Sequence, residues 1–243
     1  MKRKAILIGN RRNLDIVTPI DMFRFAQFLM SNQGGAWDVG EIVPWMDKSA
    51  QSILDGLDAI KNEKNDYVIV YFTGHGALQG GTIMEVNPSL ELLEENSFFD
   101  LAERQLNILD CCRSLHSTPL SIYGSSRRMS STEKSLRVDV RKEYDDLVMG
   151  AASQLVRLYS CSEGESSFPS ASGSYYTNNL IGCVNELLSS TQIVSVHQCH
   201  AVAALKTTSN VQNDLKRDQH PAIIPTKCIS LAELPFGFNP SSL

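Results

Sequence analysis

Two short motifs carry residue types from which a nucleophilic site could be built. The first, residues 72–76 (FTGHG), places His75 between two glycines directly after an apolar run. Such glycines let the backbone turn sharply and let another chain approach the imidazole closely. The second, residues 109–114 (LDCCRS), places two adjacent cysteines after a shorter apolar run. A histidine beside a cysteine can remove the thiol proton near neutral pH and create a thiolate nucleophile.

Segments with strand-like and helix-like patterns alternate around these motifs. The predicted strands are 4–9, 39–45, 67–72, 106–109, 155–159 and 223–229, and the predicted helices are 19–30, 49–60, 176–188 and 194–205. This alternation predicts an α/β fold with a mostly parallel sheet. Functional groups of such sheets gather at the carboxyl ends of the strands. We therefore expect His75 and a cysteine of the second motif to meet at one rim.

The bulk composition limits the class of protein. The chain has 243 residues, of which 42% are hydrophobic, so one compact domain is expected. A net charge of -5 argues against nucleic acids and anionic membranes as partners. No apolar run is long enough to span a bilayer. Six dispersed cysteines do not resemble a disulfide framework, so we expect a soluble, cytoplasmic protein with reduced thiols.

Residues 114–146 interrupt the alternation. This segment is rich in Ser, Thr, Arg, Lys and Glu and has few large apolar residues. It therefore predicts a long loop, which in a compact domain is usually functional or disordered. The loop contains four arginines, Arg127, Arg128, Arg137 and Arg141.

Taken together, the two motifs resemble the catalytic pair of caspases, metacaspases and their prokaryotic relatives. The resemblance extends over most of the chain and implies a caspase-haemoglobinase fold, an α/β sandwich. It also implies a Cys-His dyad in which Cys112 is the nucleophile and His75 the base, while the backbone N–H groups of Gly76 and Cys112 stabilise the oxyanion. The Asp-x-Cys spacing of metacaspases favours Cys112 over Cys111. The chain lacks the Gln-Ala-Cys-x-Gly motif of caspases and the His and Gly that follow the metacaspase nucleophile, so the subfamily stays open.

The same resemblance implies a division of the single domain 1–243. Residues 1–113 correspond to a large subunit, 114–146 to a linker loop and 147–243 to a small subunit. Family members are often cleaved in the linker, so its four arginines (Arg127, Arg128, Arg137 and Arg141) are candidate cleavage sites for a zymogen. An upstream activating protease or sensor would then be a partner, and bacterial relatives suggest a role in antiviral defence.

Substrate specificity is predicted from charge. The resemblance places Asp110 and Asp21 around the specificity pocket, with Thr73, Ser160 and Ser167 also contacting the substrate. Two carboxylates favour a guanidinium or ammonium group, so we predict cleavage of protein substrates after Arg, with Lys as the second choice. The alternative for Asp21 is that it only complements the N-terminus of a helix.

Other functions remain open. Caspases carry an arginine that binds the substrate aspartate where this chain has Pro169; Arg11 and Arg12 could replace it, which would give Asp specificity. A catalytically inactive scaffold and a phosphate-binding site at residues 9–12 are further alternatives, although no Gly-x-Gly-x-x-Gly motif supports the latter. No cofactor is expected. The crowded residues 197–200 do not have the spacing of a zinc site, and calcium activation stays open.

Overall fold

Strands and helices alternate along most of the chain. The computed structural model describes residues 1–115, 137–226 and 233–240. Its strands are β1 Arg3–Gly9, β2 Ile42–Met46, β3 Asn65–Thr73, β4 Gly76–Leu78, β5 Thr82–Glu85, β6 Leu92–Glu94, β7 Ala102–Asp110, β8 Gln154–Tyr159, β9 Pro169–Ser170, β10 Gly173–Ser174, β11 Ile193–Ser195, β12 Ala222–Thr226 and β13 Pro235–Phe238. Its α-helices are α1 Val17–Met30, α2 Ala50–Asn62, α3 Arg137–Gly150, α4 Tyr175–Leu188 and α5 Val196–Leu215, and short 3-10 helices form at Val39–Glu41 and Glu95–Phe98.

A six-stranded sheet forms the centre of the fold. Its strand order is β12-β8-β7-β3-β1-β2. The five strands from β8 to β2 are parallel, and only the edge strand β12 is antiparallel to its neighbour β8. The predicted α/β fold with a mostly parallel sheet is confirmed. Because β3 and β7 are adjacent and parallel, the loops that follow them leave the sheet at the same edge.

Helices cover both faces of the sheet because its strands are apolar on both sides. Ala5 and Leu7 of β1 pack into one core, which also receives buried side chains from α1, α3, α4 and α5. Ile6 and Ile8 of the same strand point to the opposite face, where α2, β5 and β6 pack. This alternation is the period-two geometry of a β-strand. It explains why the strands read as continuous apolar runs in the sequence.

Helix α3 occupies part of the segment that the sequence predicts as a loop. Val140, Tyr144 and Val148 recur every four residues, and each is at most 2% exposed. Leu147 adds one half-buried position, but charged residues occupy the other positions between these three, so the apolar stripe is narrow and gives a weak helical signal. The prediction of a linker loop over 114–146 is therefore wrong from residue 137 onward. Residues 116–136 lie outside the described residues.

The core side of α3 is fixed by aromatic packing and by a buried ion pair. The Tyr144 ring lies 5.7 Å from the Phe238 ring, centroid to centroid, and its hydroxyl donates to the Pro235 carbonyl oxygen at 3.3 Å. Arg3 has a fully buried side chain and donates to Asp145 at 2.8 Å. A buried guanidinium needs such a partner because desolvating an unpaired charge is costly. Helix α3 is thus an integral part of the domain.

Two of the four candidate cleavage sites, Arg137 and Arg141, lie in α3. The guanidinium of Arg141 binds Asp38 at 2.8 Å and also pairs with Glu41. A peptidase generally binds its substrate in an extended form, so cleavage after Arg141 would require this helix to unfold and its ion pairs to break. The structure therefore contradicts the prediction that Arg141 is an accessible cleavage site. Arg137 is the first residue of the same helix, so its backbone is also helical.

Smaller differences concern element boundaries and short strands. Residues 39–41 form a 3-10 helix in place of the start of the predicted second strand, because Asp38 and Glu41 cap this turn reciprocally. The small antiparallel sheet β4-β5-β6 and the pair of β11 with β13 were not predicted. The last predicted strand is described only as far as residue 226, and residues 227–229 lie outside the described residues.

The packing of α3 predicts the outcome of truncating Tyr144. Tyr144→Ala should lower the free energy of unfolding by about 3–5 kcal/mol, as is typical for removal of a buried aromatic side chain. Lys142→Ala on the solvent side of the same helix is the control and should change it little. Chemical denaturation followed by circular dichroism measures both values. Equal, small effects of the two substitutions would show that α3 is not docked as described.

Candidate active site

The register of β3 and β7 brings the two motifs to one place. Thr73 of β3 pairs with Asp110 of β7 in parallel register. His75 lies two residues after Thr73, and Cys112 lies two residues after Asp110, so the two are equally far beyond the ends of their strands. Neighbouring strands are about 4.8 Å apart. The histidine and the cysteine therefore leave the sheet side by side, as the sequence predicts.

Both residues line a single cleft at this edge of the sheet. The cleft contains about 510 Å³ of space that is partly open to solvent. The lining residues are Leu14, Val17, Asp21, Thr73, Gly74, His75, Asp110, Cys112, Ser167, Phe168, Pro169 and Ser174.

The hydrogen bond of His75 defines which ring nitrogen can act as a base. The Nε2 atom of His75 lies 2.6 Å from the backbone carbonyl oxygen of Arg12. A carbonyl oxygen can only accept, so Nε2 must carry the hydrogen and donate it. In the neutral ring Nδ1 is then unprotonated. The Arg12 carbonyl thus selects the tautomer in which Nδ1 can receive a proton.

Cys112 rests as a thiol. Its Sγ atom donates to the Ser167 carbonyl oxygen at 3.6 Å. Burial raises the pKa of Cys112, and the nearby charge of Asp110 raises it further. Hydrogen bonds from Cys112 to Ser166 and Ser167 lower this pKa but do not cancel the rise. A thiol in this environment needs a base to become nucleophilic. Cys111 is different, since it is only 1% exposed and belongs to the core beneath the cleft.

Two backbone N–H groups are free to stabilise an oxyanion. The Glu85 N–H donates to the His75 carbonyl at 3.0 Å, so the neighbouring pair Gly76 and Met84 is of the non-hydrogen-bonded type. The Gly76 N–H therefore points away from this ladder. The Cys112 N–H has no acceptor within the described part of the chain. Glycine is required at position 76, because a Cβ there would lie 2.8 Å from the Cys112 carbonyl oxygen.

Asp21 is a fully buried carboxylate at the side of the cleft. It accepts hydrogen bonds from the Ser174 N–H at 2.9 Å and from the Thr73 hydroxyl at 3.3 Å. Burial raises the pKa of Asp21 well above its usual value, and the charge of Asp110 raises it further. Gly173 allows the close approach of β10, because a Cβ there would lie 2.2 Å from Asp21 Oδ1 and φ is +113°.

Asp110 lies at the end of β7 and accepts three hydroxyl groups. Ser167 donates to Oδ1 at 2.9 Å, and Ser174 and Thr177 donate to Oδ2, the latter at 2.7 Å. These hydroxyls satisfy part of the acceptor capacity of a carboxylate, which has about four lone-pair sites. Both aspartates line the cleft.

The two carboxylates have no ion-pair partner within the described residues, and the charge of Arg24 offsets only part of the rise in the pKa of Asp21. Neither Asp21 nor Asp110 forms an ion pair there. Arg11 pairs with Asp47, and Arg12 forms a bidentate pair with Glu85. Neither arginine lines the cleft.

The structure separates the five predicted substrate-binding residues into two groups. Asp21, Asp110, Thr73 and Ser167 line the cleft. Ser160 does not, because it is fully buried and its hydroxyl donates to the Cys111 carbonyl at 3.2 Å. The prediction that Ser160 contacts the substrate is therefore wrong. Ser160 supports the chain beside the nucleophile.

Several residues of the site were not predicted. The carbonyl of Arg12 has no sequence signal, because any residue could supply it. Ser174 precedes α4 and could have been recognised as its N-cap, since it accepts the Thr177 N–H at 3.1 Å. Gln219, which is fully buried, binds the Ser160 carbonyl at 2.8 Å and the Phe168 N–H at 3.0 Å. It fixes the loop that carries Ser167.

Metal sites and membrane-spanning helices are absent from the described part of the chain. Within residues 1–115, 137–226 and 233–240 no three His, Cys, Asp or Glu side chains are grouped so that they could hold a metal ion. No described helix combines the length and apolar character needed to cross a membrane.

Comparisons with known proteins agree with this geometry. A family model of the caspase domain matches residues 2–229. Among solved structures, the crystal structure of caspase-1 from Spodoptera frugiperda superposes with a TM-score of 0.63 and 12% sequence identity, covering 100% of this chain and 92% of that chain. At this identity the likeness shows the fold alone. No curated protein sequence matches significantly. Because the domain model spans nearly the whole chain, this protein belongs to the caspase family of cysteine-type peptidases.

Proposed function

We propose that the protein is a cysteine endopeptidase that hydrolyses protein substrates on the carboxyl side of a basic residue, Arg in preference to Lys. The observation that carries the proposal is a single cleft lined by His75, Cys112 and two buried carboxylates without a cationic partner among the described residues. The imidazole and thiol supply the chemistry, and Asp21 and Asp110 supply the specificity. No cofactor is needed for these steps.

In the first step His75 acts as a general base. Its unprotonated Nδ1 takes the proton of Cys112 as the sulfur attacks the scissile carbonyl carbon. A C–S bond forms, and the carbonyl π electrons move to oxygen. Because burial raises the pKa of Cys112, the thiol and not a preformed thiolate is the resting state. Deprotonation therefore accompanies attack.

The remaining steps use the same groups. The N–H groups of Gly76 and Cys112 stabilise the negative oxygen of the tetrahedral intermediate. The C–N bond then breaks, and the imidazolium of His75 gives its proton to the leaving amine. Water, deprotonated by His75, attacks the resulting thioester, and cleavage of its C–S bond releases the acid and restores the thiol of Cys112.

The specificity proposal rests on uncompensated charge. A guanidinium entering the cleft would pair with two carboxylates, and its planar donors suit bidentate binding. An aspartate side chain would meet like charge from Asp21 and Asp110. Arg11 and Arg12, the cations that an Asp-specific site would need, are paired with other acids, and Pro169 is uncharged.

The dyad predicts loss of turnover in two variants. Cys112→Ala and His75→Ala should each lower kcat for a fluorogenic peptide ending in Arg by about 10³-fold or more, since members of such a catalytic unit are each essential. Cys111→Ala, a change in the buried neighbour, should retain most activity. Steady-state fluorimetry measures all three. A wild-type protein inactive on Arg, Lys and Asp peptides would favour the inactive-scaffold alternative.

The paired carboxylates predict which charge is recognised. Asp21→Asn should lower kcat/KM for an Arg peptide by about 30-fold or more, because unpairing a buried charge typically costs about 2–5 kcal/mol. A peptide with citrulline, the neutral isostere of arginine, should lose much less. Measuring kcat/KM of wild type and Asp21→Asn on both peptides distinguishes a loss of charge recognition from a general loss of activity. Equal losses on the two peptides would contradict the specificity proposal.

The same variant should change the pH dependence of stability. Because the folded protein holds the Asp21 proton to higher pH than the unfolded chain, stability falls as pH rises from the unfolded pKa, about 3.9, through the raised folded pKa. Asp21→Asn removes this loss. Its free energy of unfolding relative to wild type should therefore increase with pH across that window. A constant difference at all pH values would contradict the raised pKa.

We further propose that the enzyme is matured by cleavage in the segment between β7 and α3. Arg127 and Arg128 are the remaining candidate sites, and both lie outside the described residues. The double variant Arg127→Ala, Arg128→Ala should abolish the corresponding fragments when purified protein is followed by gel electrophoresis and intact mass. An inactive Cys112→Ala protein controls for contaminating proteases. Unchanged fragments and activity would exclude these two sites.

A further inference from the structure

Glu85 is a buried acid that lies behind the catalytic cleft. It is the last residue of β5, is 8% exposed and does not line the cleft. Its carboxylate receives the guanidinium of Arg12 in a bidentate pair, with Nη2 to Oε2 at 2.6 Å. Asn10 donates to the same carboxylate at 2.8 Å. A carboxylate that accepts three hydrogen bonds, two of them from a guanidinium, is rigidly held.

The contacts of Glu85 and His75 form a closed circuit. The Glu85 N–H donates to the His75 carbonyl at 3.0 Å, which fixes the backbone of the histidine. The His75 ring donates from Nε2 to the Arg12 carbonyl at 2.6 Å. The Arg12 guanidinium returns to the Glu85 carboxylate. Glu85 therefore contacts the histidine directly through its backbone and indirectly through Arg12.

We propose that Glu85 is a positioning residue for His75, acting through the ion pair that anchors Arg12. The inference rests on the proposed dyad and deepens it. The carbonyl that selects the reactive tautomer belongs to a loop residue, so it is useful only if the loop is held in place. The bidentate pair supplies this hold, because two parallel hydrogen bonds fix orientation as well as distance.

Other contacts of the loop do not replace this anchor. Asn10 is held by the Thr73 carbonyl and by Thr18. Arg11 is held by Asp47. At Arg12 the backbone N–H binds Asn10 Oδ1 at 2.9 Å, within the same loop. Asn10 in turn binds the Glu85 carbonyl oxygen at 3.0 Å, so among the described contacts the guanidinium is the direct link from the Arg12 side chain to Glu85, and Asn10 is an indirect one.

The kinetic test uses Glu85→Gln, which preserves shape but removes the charge. We expect kcat for an Arg peptide to fall by about 10- to 100-fold with little change in KM, because small misplacement of a catalytic group has effects of this size. Asp47→Asn is the matched control, since it breaks the neighbouring Arg11 pair in the same loop. It should leave kcat within about twofold, on the rule that surface pairs contribute little. Equal effects of the two substitutions would overturn the proposal.

The double variant Glu85→Gln, Arg12→Ala tests whether Glu85 acts on His75 through Arg12. Arg12→Ala keeps the carbonyl but removes the anchor, so it should reproduce the loss of kcat in Glu85→Gln. The double variant should be no worse than either single variant, since residues that act through one contact are not additive. Multiplicative losses would show that Glu85 does not act through Arg12 and would overturn the proposal.

Nitrogen-15 NMR of the His75 ring tests the tautomer without any need for turnover. The wild-type ring, assigned with His75→Gln, should be in the Nε2–H form, and Glu85→Gln should show a mixture of both tautomers at the same pH. Asp47→Asn should match wild type. A single Nε2–H form in Glu85→Gln would overturn the proposal even in an active enzyme. Inactive wild type with the expected spectra would instead refute the proposed function alone.

Discussion

The parallel pairing of β3 with β7 is the constraint on which the whole site depends. It pairs Thr73 with Asp110. His75 and Cys112 each follow two residues later, so both lie just beyond the same edge of the sheet. A slip of one residue would displace them by about 3.3 Å and would also turn every side chain of the strand to the wrong face. Because both faces are covered by apolar cores, such a slip is strongly disfavoured. The packing that stabilises the fold therefore also sets the geometry of the site.

Electrostatics at the cleft works against stability. Asp21 and Asp110 are both buried, and the charge of Asp110 adds to the effect of burial in raising the pKa of Asp21. A core optimised only for folding would replace or pair them. Hydroxyl and amide donors from β10 and α4 make the arrangement tolerable, and a cationic substrate would complete it. This conflict between stability and binding is typical of functional sites.

The parts that could be predicted from sequence are those set by local pattern. Apolar runs predicted the central strands, and the two motifs that follow them correctly placed His75 and Cys112 at one edge of the sheet. Helix α3 could not be predicted because its buried stripe is narrow and lies among charged residues, and the burial of Ser160 could not be predicted because a loop pattern does not give burial. The Arg12 carbonyl and the Glu85 pair could not be predicted, since they depend on tertiary approach and on backbone atoms that every residue has.

The central claim is that His75 activates Cys112 in a cleft that selects a basic side chain. The most direct measurement is intact and peptide mass spectrometry after incubation with a peptidyl-arginine chloromethyl ketone. We expect one adduct, on Cys112, that forms much more slowly in His75→Ala and does not form with the corresponding aspartyl reagent. Modification of another cysteine, or equal rates with and without His75, would contradict the account.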